Sequence, residues 1–368
     1  MNISAGLVGL PNVGKSTLFN ALTQSSIPAE NYPFCTIDPH VACTSVPDVR
    51  IPKLKEIYDS QKTIPAVIQF VDIAGLVKGA ASGEGLGNQF LNNIREVDLI
   101  LHVVRCFEDE DITQTGVDPV TDYEVITTEL ALKDLESVQK RLEKIPQYKK
   151  AARTDKQKLS MLESEEKLLT QIATALDNND AIEVKKILQE SSVPTIPLLL
   201  SKNFLILANI SETELAHQAY KENPHYQQLI ATFGKDKILP ICARIEHELS
   251  QVDEEEAREL RNMYDLTEPG LNSIIRQSYF NLNLITFFTC GPKEIHAWPI
   301  PQGITIRQAA GKIHSDLERG FICSEVFNAA ELVSHGSLTK IKNEGKMRTE
   351  GQDYIVKDGD IVNVRFNV

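Results

Sequence analysis

Gly9-Leu10-Pro11-Asn12-Val13-Gly14-Lys15-Ser16 follows an apolar run, Ile3 to Val8, and precedes Thr17-Leu18-Phe19-Asn20-Ala21-Leu22, a helix-like stretch. Glycine, four residues, then Gly-Lys-Ser between a strand and a helix is the arrangement of a phosphate-binding loop. The chemistry follows from the residue types. Glycines let backbone N–H groups turn into one concavity, the helix N-terminus adds partial positive charge, and Lys15 reaches the β and γ phosphates. Ser16 then supplies a hydroxyl to magnesium.

Such a loop needs a second carboxylate on the metal side, and Val67-Ile68-Gln69-Phe70-Val71-Asp72-Ile73-Ala74-Gly75 supplies one at the end of an apolar strand. Asp72 is expected to organise the metal's water shell, and the Gly75 amide to sense the γ-phosphate. Five glycines between 75 and 87 give that stretch the composition of a switch loop. Leu76 stands where Ras-like enzymes place the glutamine that orients the attacking water, and a leucine cannot do that. Either hydrolysis is slow until a partner or another residue positions the water, or the backbone positions it. Upstream, Asn31-Tyr32-Pro33-Phe34-Cys35-Thr36 occupies the place of a first switch, with Thr36 as the second magnesium hydroxyl.

Guanine is read by Asn-Lys-x-Asp, whose carboxylate accepts from N1–H and the exocyclic amine. Here the strand Phe204 to Ala208 leads into Asn209-Ile210-Ser211-Glu212. Lysine is missing and the longer Glu212 is misplaced for the paired guanine contacts. Adenine gains nothing directly, because its N1 lone pair repels a carboxylate. Ile210 takes the position from which the lysine stem covers the base, and Ile241-Cys242-Ala243 occupies the place of the loop whose backbone contacts the base. Guanine reading is weakened; positive adenine reading is not evident from these residues.

Strand-like runs at 3 to 9, 65 to 71, 98 to 104, 205 to 209 and 238 to 242, separated by crossover-length stretches, predict a parallel α/β sheet. Between about 123 and 190 apolar residues recur every three or four positions in two blocks, with Pro146 between them. Two antiparallel helices, interrupted at Pro146, are expected. Lys140 to Lys158 holds eight basic and two acidic residues, which places a basic patch near the hairpin tip. A new domain is expected after Glu268-Pro269-Gly270, with short strands around one helix and a last strand over Asp360 to Phe366.

Composition bounds the rest. The chain has 368 residues and a formal charge of −13, a field that opposes non-specific coating of nucleic acid while leaving local patches free to bind it. Residues 281 to 368 carry ten basic and ten acidic residues, so the acidic excess lies upstream. Six cysteines show no metal-knuckle or redox-pair spacing and read as reduced thiols. No apolar run approaches the roughly 18 residues of a membrane helix, and no signal segment opens the chain, so a cytoplasmic location without membrane contact is expected.

Together, Gly-Leu-Pro-Asn-Val-Gly-Lys-Ser-Thr, Asn-Tyr-Pro-Phe-Cys-Thr, Asp-Ile-Ala-Gly-Leu-Val-Lys-Gly-Ala, Gly-Glu-Gly-Leu-Gly-Asn, Asn-Ile-Ser-Glu and the C-terminal Asp-Tyr-Ile-Val-x-Asp-Gly-Asp resemble the YchF/Obg-like ATPase family across essentially the whole chain. The resemblance implies an α/β P-loop G domain over 1–280, an inserted antiparallel helical coiled coil at about 123–195, and a C-terminal β-grasp (TGS) domain over 281–368. It also implies ATP preference and ribosome association. Carried over by position, the phosphate cradle is Asn12, Val13, Gly14, Lys15, Ser16 and Thr17. The magnesium ligands are Ser16 and Thr36, and the base neighbours are Asn209, Ile210 and Glu212. Lys15, Asp72 and Gly75 are the candidate catalytic groups. Similarity to potassium-stimulated relatives suggests that Asn12 helps hold K+ beside Mg2+.

The basic hairpin is the candidate RNA contact. His314-x-Asp316 has no third ligand at a clear spacing and reads as a helix-surface hydrogen-bonding pair. Cys35 reads as a small loop residue. Three readings remain open: an ATP-dependent switch docking on the ribosome, a GTP-dependent switch of the Obg class, and a phosphotransferase acting on a small substrate. The two switch-like loops, Leu76 and the lack of an evident acceptor-binding motif favour a switch over the phosphotransferase.

Overall fold

The computed structural model describes residues 3–26, 40–73, 86–108, 116–178 and 180–367, with the backbone alone for 86–89. The chain forms two compact units. One comprises Ser4–Gln24 and Phe70–Thr267, the other Met1–Ile3, Ser25–Gln69 and Glu268–Val368.

In the first unit, β1 (Ser4–Val8), the end of β4 (Val67–Asp72), β5 (Leu99–Arg105), β6 (Asn203–Asn209) and β7 (Ile238–Ile241) lie in the order β4-β1-β5-β6-β7. β1 pairs in parallel with β5 (Ala5 opposite Leu99), β5 with β6 (Leu99 opposite Asn203) and β6 with β7 (Ile206 opposite Ile238). β1 and β5 are buried along their whole length, as continuous apolar strands of a two-sided sheet must be. After β1 the chain crosses to β4 on one side and then returns to β5 on the other. The carboxyl end of β1 is thus a switch point, where such sheets open a ligand crevice. The helix α1 (Lys15–Gln24) starts there.

The helices α4 (Pro119–Ala151) and α5 (Lys156–Asp177) form the expected antiparallel hairpin, followed by α6 (Ala181–Glu190). Pro146 does not end α4, which continues through it to Ala151. The turn lies at 152–155 instead, where Asp155 caps α5 by accepting from the Lys158 N–H. Cross-helix pairing on both sides of the proline explains the continuity. Arg141 grips Glu165 with two 2.8 Å hydrogen bonds, and Lys149 pairs with Glu166 at 2.5 Å. Val138 and Ile145 face Leu169 and Ile172 in the same apolar cluster. At the hairpin base, buried Asp134 accepts from the Leu199 and Leu200 N–H groups at 2.8 and 2.9 Å. Burial pushes its carboxyl up to about 6.

The second unit contains β2 (Val41–Ser45), α2 (Arg50–Tyr58), β3 (Lys62–Ile64), β8 (Leu284–Cys290), β9 (Glu294–Pro301), β10 (Phe321–Asn328), β11 (Arg348–Glu350) and β12 (Asp360–Phe366). Its mixed sheet runs β11-β10-β12-β8-β9-β3. The helix Ile306–Ile313 packs its buried face on Phe287, Ile300, Val326 and Val362, the β-grasp arrangement. β3 comes from far upstream, yet it pairs in parallel with β9, Lys62 opposite Glu294. The helix Ile306–Ile313 ends at His314, whose ring Nδ1 accepts from the Asp316 N–H at 3.2 Å as the short helix Ser315–Arg319 begins. The pair caps a short helix, as read from its spacing.

Candidate nucleotide-binding site

The Gly9–Ser16 stretch turns at the end of β1 with Asn12 at φ 63° and Gly14 at φ 92°. Gly14 needs to be glycine twice over. Its φ lies in the left-handed region, and a Cβ there would collide with the Asn209 side-chain nitrogen. Leu18 N–H then donates to the Gly14 carbonyl at 3.0 Å as α1 begins. Val13 is buried at the loop's back, whereas Asn12 and Ser16 are exposed and Thr17 half-buried.

Lys15 is 9% exposed and its ammonium is ion-paired with the Asp72 carboxylate at the end of β4. Residues 57 positions apart thus meet where β1 and β4 end. A cation for phosphate and a carboxylate for the metal side share one point. Both Ser16 and Asp72 offer hard oxygen donors, the donor type that magnesium takes alongside phosphate and water. Thr36, Gly75, Leu76 and Cys35 lie outside the described residues. Among the described residues no group of three His, Cys, Asp or Glu side chains forms a preassembled metal cluster.

The base-reading residues follow β6. Asn209 is 4% exposed; its Nδ2 donates to the Val13 carbonyl at 2.9 Å, and its Oδ1 accepts from the Ala243 N–H at 3.0 Å. Its amide therefore ties the phosphate loop to the turn before α9 (Ala243–Leu249). Ile210 was expected to cover the base. It is 1% exposed, packed with Cys106, Leu215 and Ile245, and its N–H donates to the Ile241 carbonyl at 2.9 Å. A side chain turned into the core offers no face to a base, so only its backbone is available there.

Glu212 opens α7 (Glu212–Leu215), whose N-cap Ser211 forms a capping box with Glu214. The carboxylate of Glu212 lies 2.8 Å from Arg244 Nε. Sequence reasoning did not single out Arg244; the available signal was a cation directly after Cys242-Ala243. Cys242 is 3% exposed, and burial pushes its thiol up to about 11, so it is inert.

A family model described as 50S ribosome-binding GTPase matches residues 4–146, and one described as YchF-GTPase_C, a protein of unknown function, matches residues 284–367. The ribosome-binding ATPase YchF of Escherichia coli O157:H7 is 45% identical over 100% of both chains. The chain belongs to the YchF family. The YchF protein of Bacillus subtilis (strain 168), carrying the same description, is 42% identical over 100% of both chains. The solved structure of the Schizosaccharomyces pombe YchF GTPase covers 99% of this chain and 98% of its own, with a TM-score of 0.82 and 34% identity. YchF membership accounts for the α/β unit with its phosphate-loop geometry and for the C-terminal sheet. Among the described residues no helix is long and apolar enough to cross a membrane.

Proposed function

We propose that this chain is an ATP-binding, ATP-hydrolysing molecular switch that associates with the ribosome and turns over slowly until a partner activates it. The observation that carries the reading is the meeting of Lys15 with Asp72 at the mouth of a loop that Asn209 ties to the base-side turn. Full-length similarity to ribosome-binding ATPases YchF supports the choice of nucleotide and partner.

In this reading Lys15 leaves Asp72 for the β and γ phosphates, while the backbone of Asn12–Thr17 surrounds them. Ser16 and Thr36 hold magnesium directly, Asp72 holds its water shell, and Gly75 senses the γ-phosphate. Magnesium, when bound, would neutralise charge on the β and γ phosphates. Asn12 contributes to a K+ site, which turnover in potassium against sodium tests. Asn209, the Ile210 backbone and Glu212 surround the base. The division into a G domain over 1–280, a helical insertion at about 123–195 and a TGS domain over 281–368 belongs to the same reading, as does a cytoplasmic location.

The hairpin tip is the RNA contact of the ribosome-bound state. Lys144, Lys150, Arg153, Lys156 and Lys158 are exposed there and pair with no described carboxylate. The description of the fission-yeast relative as a GTPase favours a second reading with GTP as the nucleotide. Side-by-side affinities for ATP and GTP, with turnover measured with and without ribosomes, decide between them. ATP preference and ribosome-stimulated release of inorganic phosphate are expected. GTP preference, or phosphoryl transfer to a small acceptor in place of water, overturns the reading.

A further inference from the structure

We infer that the Glu212–Arg244 ion pair reads the Watson–Crick edge of adenine, Arg244 donating to N1 and Glu212 accepting from the N6 amine. The inference rests on the reading of this site as an ATP site. Its starting point is a mismatch of chemistry: a carboxylate repels the adenine N1 lone pair, so Glu212 accepts from the N6 amine but leaves N1 without a donor.

The structure supplies the missing donor. Arg244 Nε stands 2.8 Å from Glu212 Oε1 and 3.4 Å from Glu248 Oε1. Two carboxylates therefore hold the guanidinium beside Glu212, although its side chain is 74% exposed. The backbone beneath is fixed as well, because the preceding Ala243 N–H is bound by Asn209, which also holds Val13 of the phosphate loop. Among the described residues the contacts of the Arg244 side chain are these two ion pairs. Both contacts run through Nε, which leaves the four N–H groups of the two Nη atoms to face a ligand, together with the second oxygen of Glu212.

A carboxylate beside a guanidinium is an acceptor next to a donor. Adenine presents the complement, an N6 amine donor next to the N1 acceptor. Guanine presents the reverse, O6 as acceptor and N1–H as donor, and so meets like against like at both positions. The same pair that favours adenine thereby rejects guanine, the repulsive half of specificity that attraction alone does not supply.

The test uses the full-length chain and equilibrium binding of ATP, GTP and 1-deaza-ATP, which lacks N1. The wild type is expected to bind 1-deaza-ATP about tenfold more weakly than ATP, the size of one charge-assisted hydrogen bond. Arg244→Ala should lose a similar factor for ATP, bind ATP and 1-deaza-ATP alike, and narrow the ATP-over-GTP ratio. Arg244→Lys, which keeps the charge, should fall between them, and all three proteins should melt at the same temperature because the side chain is exposed. If the wild type prefers ATP while Arg244→Ala keeps the wild-type ratios, the Arg244 inference falls and the ATP reading stands. If the wild type binds GTP as tightly as ATP, both fall.

Discussion

Asn209 Nδ2 donates to the Val13 carbonyl oxygen at 2.9 Å, joining the end of β6 to a phosphate loop 196 residues earlier. The residue that the guanine-reading motif turns to the base uses one amide N–H and its carbonyl oxygen here to hold protein to protein. Asn209→Ala leaves the Val13 carbonyl and the Ala243 N–H buried without partners, a loss of about 2–4 kcal/mol for two orphaned groups. Urea unfolding should show that loss, and affinity for ATP should fall with it because the loop is released.

Lys15 and Asp72 neutralise each other in a nearly buried setting. Asp72→Asn strands the lysine charge and should destabilise the nucleotide-free protein by about 1–3 kcal/mol. Magnesium-free ADP, whose phosphates replace the carboxylate as the lysine's partner, should raise the melting temperature of Asp72→Asn more than that of the wild type. Equal increments would show that Lys15 stays with position 72 when phosphate binds.

Buried His102, 3% exposed, packs against Tyr123 in a tilted ring pair with centroids 4.8 Å apart, its Nε2 unpartnered among the described residues. Burial holds its pKa down to about 3. A depressed folded-state pKa means that the unfolded chain binds the proton first, so this stability is present above pH 6.5 and is lost as pH falls toward 3. Between pH 7.5 and 5 the loss is about 2 kcal/mol. In His102→Phe that part of the acid sensitivity should vanish in urea titrations at the two pH values.

Arg50 bonds Asp48 through Nε and Nη2 at 2.8 and 2.6 Å, reaches Asp358 through Nη1 at 2.6 Å, and lies over the Phe288 ring. Asp358 in turn accepts from the Thr286 N–H at 2.9 Å. The Asp-Gly-Asp motif near the C-terminus is thus a docking point for the start of α2. Arg50→Lys keeps charge but loses the fork. It should cost about 1–2 kcal/mol and speed hydrogen exchange in β8 and β12, with α2 affected most.

Lys150→Glu, Arg153→Glu and Lys156→Glu at the hairpin tip should weaken ribosome binding without changing ATP affinity. Each lost phosphate contact should lower the salt slope of binding by about 1. An unchanged slope would remove the tip from the RNA contact.

Much of this architecture was legible because its signals are local. Five strands of the α/β sheet, the two hairpin helices and the phosphate loop are written in short periodicities and glycine spacing. Pro146 misled because a helix end was inferred from one missing hydrogen bond, whereas Arg141–Glu165 and Lys149–Glu166 brace the helix on both sides of it. Ile210 misled because a motif position says where the backbone goes, and the side chain found the core below.

The sequence by itself determined that a triphosphate-binding loop opens this chain, because Gly-x4-Gly-Lys-Ser encodes its own backbone path and charge. It also determined that guanine reading is weakened, since Lys is absent and Glu replaces Asp. Only the tertiary structure decided how Asn209 is used, which residue stands against Glu212, and that β3 pairs with β9. Those relationships join residues far apart in the chain, and side-chain pairing at such separations is set by packing, which no local pattern of residues records.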